Sequence, residues 1–70
     1  MATARFECDA NHLRETLARM EKRTGTNYHQ ISIDGYNDYY CIAYGERQEL
    51  MALIGAVADE GSDWLTSYTV

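Results

Sequence analysis

The order of periodicities along the chain predicts an α+β fold in the pattern β-α-β-β-α-β. Apolar residues alternate with polar ones over residues 3–8 and 28–33, and recur at helical spacing over 10–24 and 46–60. Residues 39–44 and 64–70 are rich in aromatic and β-branched side chains, which suit a pleated surface.

In the first strand, residues 3–8, Ala4, Phe6 and Cys8 alternate with Thr3, Arg5 and Glu7, the two-residue period of a half-buried strand. Asp9 and Asn11 then offer N-cap oxygens. Ala10, Leu13, Leu17 and Met20 make one helical stripe over 10–24, and Gly25 supplies the left-handed stop. Over 28–33, Ile31 and Ile33 share one side, with Tyr28, Gln30 and Ser32 on the other. Asp34-Gly35 marks a tight reversal into the third strand, 39–44, so that the second and third strands form an antiparallel hairpin.

Gly45 breaks that strand, and 46–60 carries Leu50, Leu53, Ile54 and Val57 on one stripe. Glu46 and Glu49 fall in its first turns, where the helix dipole favours anions. Gly61 closes the helix and 64–70 is the last strand. Two right-handed split βαβ units place four antiparallel strands in the order 4-1-3-2, with both helices on one face. This element order resembles the ferredoxin-like fold over essentially the whole chain. The resemblance implies a shape and leaves function to be argued from a site.

The chain has 70 residues, 46 % of them hydrophobic, with eleven acidic and six basic side chains for a formal charge of −5. That length predicts a single small acidic domain over 1–70, with no room for a deep enclosed cavity. The first residues lack the apolar core of a secretion signal, and no apolar run reaches the roughly 18 residues of a membrane span. A cytoplasmic location and no membrane association are the expectations. Two cysteines are too few for a disulfide scaffold, so the chain must rely on close packing or on a partner, a second copy included.

With both helices on one face, the other face is open, and large side chains there need a partner to cover them. Six Tyr and one Trp fall mainly in strands or the hairpin. Only one parity of the third strand faces the helices, and Ile42 is expected inward. Aromatic residues are ordinary strand formers, but Tyr and Trp exposed together also make interface anchors, with Trp64 or Tyr68 completing the cluster. RNA-recognition domains share the topology and stack bases on the third strand. Here that strand is preceded by Asn37-Asp38 instead of a basic residue and Gly, and Cys41 stands where an aromatic belongs. An acidic chain also repels phosphate, so direct nucleic-acid binding is not expected.

Charge is unevenly placed. Residues 1–33 carry +1, whereas 34–70 carry Asp34, Asp38, Glu46, Glu49, Asp59, Glu60 and Asp63 against Arg47 alone, for −6. These acids cap and solvate the second helix, and they also suit recognition of a basic surface, including one that normally holds nucleic acid. In length, acidity and composite fold the chain is similar to the small inhibitors that phages and mobile elements encode, anti-CRISPR proteins among them. That likeness implies inhibition of a partner protein by occupancy, without chemistry. The expected contact residues are Tyr36, Asp38, Tyr40, Glu46, Glu49 and Trp64, and the alternative is a homodimeric interaction domain joined through the open aromatic face.

Catalytic and cofactor chemistry finds little footing. Cys8, His12, His29 and Cys41 are zinc-ligand types without a paired Cys-x-x-Cys or His-x₃-His grouping. Cys41 with His29 lacks any sign of an oxyanion hole or orienting group. Asp34 and Asp38 flank a turn, where carboxylates serve the backbone, and the five glycines are scattered, so no phosphate loop is formed. No catalytic, metal or cofactor residue is therefore expected. The topology sets Cys8 near Cys41, within reach of a bridge under oxidation, although buried reduced thiols are the expectation in a cytosol.

Overall fold

The computed structural model describes residues 1–69. Six elements follow in the order β1 (Ala2–Phe6), α1 (Ala10–Thr24), β2 (Ile31–Gly35), β3 (Cys41–Gly45), α2 (Arg47–Asp59) and β4 (Leu65–Thr69). All strand pairs are antiparallel, in the order β2-β3-β1-β4, the expected 4-1-3-2 read from the other edge. Val70, expected in the last strand, lies outside the described residues.

The helix boundaries follow from capping. Asp9 Oδ1 accepts the His12 N–H at 2.9 Å, satisfying a donor that the first turn leaves free. Gly25 adopts φ 71° and its N–H reaches the Glu21 carbonyl at 2.9 Å. In α2 the cap is Glu46, which accepts the N–H groups of Gln48 and Glu49, both at 3.0 Å. At the other end Gly61, φ 76°, donates to the Ala58 carbonyl at 3.0 Å.

The core lies between the helices and one face of the sheet. Phe6, Leu13, Leu50, Leu53 and Val57 fill it, with Thr16 buried among them. The sheet contributes mostly small side chains, Ala2, Ala4, Cys41 and Ala43. Small residues on the two central strands let the helices approach closely enough for their leucines to meet the sheet. This reverses the expected parity of β3. Ile42 points away from the core, because Cys41 and Ala43 occupy the helix-facing positions and have no exposure. Leu13, Leu50, Leu53 and Val57 already fill the space over the sheet, which leaves room for Cys41 and Ala43 beneath them and none for Ile42.

The hairpin also differs from expectation. Asp34 and Gly35 belong to β2, paired with Ile42 and Cys41, and the reversal lies at Tyr36–Tyr40. Asn37 Oδ1 accepts the N–H groups of Tyr39 at 2.7 Å and Tyr40 at 3.0 Å, so its side chain mimics a turn of backbone. Strand β2 starts at Ile31, later than expected, because the Tyr28 N–H is taken by Glu21 Oε2 at 2.8 Å and holds that segment to α1. Gly45, φ 150°, is where β3 passes under the chain: a Cβ there would stand 1.9 Å from the Gln30 carbonyl oxygen.

Candidate interaction surface

Register and alternation assign the uncovered face. Each strand pair carries side chains on the same side at matched positions. One cross-strand row is therefore Asp34, Ile42, Arg5 and Ser67, and the next is Ser32, Tyr44, Thr3 and Thr69. All of these are exposed or half-buried, and the apolar centre of the face is Ile42 with Tyr44.

The hairpin extends this patch. Tyr36 and Tyr40 share the outward parity, and their rings stack with centroids 5.2 Å apart and planes inclined by 11°. The Arg5 guanidinium lies 4.2 Å from the centroid of the Tyr40 ring. Offset stacking and a cation over a ring face each restrict side-chain freedom, so the patch is partly organised before anything binds. Tyr36 keeps 61 % of its surface exposed and Tyr39, beside it on the turn, 80 %.

Electrostatically the patch is bordered by carboxylates. Asp34 and Glu7 are exposed on the outward parity, and Asp38 is exposed on the turn. Behind the hairpin an open groove of about 320 Å³ separates it from the start of α1, lined among others by Asp9, Arg14, Tyr36 and Asp38. Arg14 is engaged there, its Nη2 donating to the Ile33 carbonyl at 3.0 Å. Asp9 is committed to the α1 cap, and the donated His12 N–H holds its carboxyl below the ordinary value.

Of the expected contact residues, the structure brings Tyr36, Asp38 and Tyr40 together. Glu46 and Glu49 lie elsewhere and serve the backbone. Glu46 caps α2, and those two N–H donors hold its carboxyl below the usual range. Glu49 Oε1 accepts the Gln30 N–H at 3.2 Å, tying α2 to the entry of β2. Trp64 is half-buried against the core at the entry to β4, with its ring centroid 6.1 Å from that of His12. Its carbonyl takes the Glu7 N–H at 2.7 Å.

Arg5, Asp34, Ile42 and Tyr44 were missing from the expected set. Alternation in the first strand does place Arg5 outward, but its meeting with Tyr40 depends on the β1–β3 register, which no local pattern encodes. Among the described residues no three His, Cys, Asp or Glu side chains gather as a metal-ligand set, and no helix is long and apolar enough to cross a membrane. Comparison with family models, with curated proteins and with solved structures found no match.

Proposed function

We propose that this chain is a non-enzymatic protein-binding module that docks a basic partner surface onto its uncovered sheet face. The observation that carries the reading is the Tyr36–Tyr40–Arg5 stack, continued by Ile42 and Tyr44 on a face without a helix over it. Tyrosines bury large area with few rotatable bonds, and their partial ordering lowers the entropy lost on docking. Charge selects the occupant: the chain carries −5, and Asp34, Glu7 and Asp38 border the patch.

A partner of that sign fits an inhibitor of the kind phages and mobile elements encode, anti-CRISPR proteins among them, which blocks a nucleic-acid-binding groove by filling it. The strand order supports the ferredoxin-like reading of the scaffold. A second reading, a homodimer through the same face, is favoured by the uncharged row Ser32, Tyr44, Thr3 and Thr69, which carries no like-charge repulsion between copies.

The test is a complex captured from the source organism and titrated with salt. Its association should weaken as salt rises, slow in Asp34→Lys with Asp38→Lys, and be lost in Tyr36→Ala with Tyr40→Ala while both variants stay folded. A salt-insensitive complex that tolerates the tyrosine changes would overturn the reading. Light scattering at twice the monomer mass, reduced to monomer by Ile42→Asp, would replace it with the homodimer.

A further inference from the structure

The chain contains two cysteines, Cys8 and Cys41, both with free thiols and both buried. The alternation of buried residues Ala2, Ala4 and Phe6 continues to Cys8, so Cys8 leaves β1 on the helix-facing side. Cys41 opens β3 on that same side, paired with Phe6. One side-chain step along β1 therefore separates Cys8 from the direct partner of Cys41. The chain bends at Glu7 and Cys8 to enter α1, which leaves both thiols buried at the same end of the helix-facing side of the sheet.

We propose that Cys8 and Cys41 form a reversible dithiol–disulfide site, closed by exchange with a small-molecule disulfide of the oxidised-glutathione class. In the first step a Cys8 thiolate attacks one sulfur of the reagent, breaking its S–S bond, releasing one small thiol and leaving a mixed disulfide on Cys8. The Cys41 sulfur then attacks Cys8 Sγ, the second small thiol leaves, and the Cys8–Cys41 bond forms. The protein gives up two protons and two electrons, and the reagent is reduced to two thiols.

Exposure sets the order of events. Cys8 retains 9 % of its surface and Cys41 none, so the reagent meets Cys8 first. Burial, with Cys41 and Asp9 nearby, pushes the Cys8 thiol up to about 12. The thiolate is the attacking form, so exchange is slow in the closed fold and proceeds through opening at the Glu7–Cys8 bend. Once formed, the bridge ties the entry of α1 to the first residue of β3 and encloses α1 and β2 in one covalent loop. The inference is independent of the docking reading.

Incubation of the folded chain with oxidised glutathione, followed by intact mass and non-reducing peptide mapping, tests it. The expected product lacks two hydrogen atoms, joins the Cys8 and Cys41 peptides and returns to the dithiol with dithiothreitol. It forms faster as pH rises from about 7 to 9 and shows a higher urea midpoint than the reduced chain. Cys8→Ser and Cys41→Ser supply single-thiol controls that can form only mixed or intermolecular disulfides. Two thiols still free in the folded chain, when the same chain oxidises in urea, would overturn the proposal. So would a lasting mixed disulfide, a disulfide-linked dimer, or a bridged product whose circular dichroism is no longer native.

Discussion

The guanidinium of Arg5 rests 4.2 Å over the ring of Tyr40, joining the central strand β1 to the start of β3 on the side that no helix covers. Tyr40 in turn stacks on Tyr36 across the hairpin, so one residue of β1 and two of the hairpin act as one surface feature.

That feature should contribute modestly to stability and strongly to any docking. Aromatic pairs add about 0.5–1.5 kcal/mol beyond the area they bury, and a solvent-facing cation over a ring about 0.5–1 kcal/mol. A double-mutant cycle of Tyr36→Ala and Tyr40→Ala, followed by urea denaturation, should give a coupling in the first range. Arg5→Ala should lower stability by no more than about 1 kcal/mol. A coupling near zero would mean that the rings do not interact in solution.

Two glycines should respond in opposite directions. Gly45→Ala puts a Cβ 1.9 Å from the Gln30 oxygen at a φ of 150°, displacing the segment whose carbonyl accepts the Glu46 N–H at 2.8 Å. A loss of about 3 kcal/mol or more is expected, from backbone strain together with steric conflict. Gly55→Ala lies within α2 with nothing inside 4 Å of the added carbon, and should stabilise by about 0.5–1 kcal/mol. Urea midpoints of the two variants measure both effects.

Stability should fall in acid. Hydrogen bonds from Arg19, Nε to Oε2 at 2.8 Å and Nη2 to Oε1 at 2.9 Å, together with one from Thr16, hold Glu60 below its ordinary 4.5. Glu46 and Asp9, bound to the N–H groups of the helix starts, are lowered too. Between the folded and unfolded values the unfolded chain binds more protons, so stability rises with pH there. The contribution is complete above the unfolded values and disappears as pH drops through the folded ones. Melting temperature should therefore decline below pH 4.5, and Glu60→Gln should flatten part of that decline. A flat acid profile in the unmodified chain would contradict these pairings.

The parity of β3 can be tested by size. Ala43 has no exposure, and Ala43→Leu should cost about 1–3 kcal/mol or more by overpacking. Ile42→Ala, on the open side, should cost less than Ile→Ala in a core, which runs about 2–5 kcal/mol. Comparable losses at the two positions would reverse the assignment of faces.

Local chemistry in the sequence determined the six elements, their order and the ends of the helices. Alternation marks strands, the 3.6-residue repeat marks helices, and Asp9, Gly25, Glu46 and Gly61 act on backbone groups within a turn of themselves. Strand order could also be read, because short right-handed connections leave few ways to join βαββαβ. Tertiary structure decided which side of β3 faces the helices. Both parities of residues 39–44 contain apolar residues, and only the space left beneath Leu13, Leu50 and Leu53 selects Cys41 and Ala43. It also decided which acids are held by other parts of the chain. Glu49 and Glu60 are held by Gln30 and Arg19, residues far away in the chain, and such pairings exist only once register and packing bring those groups within hydrogen-bond distance.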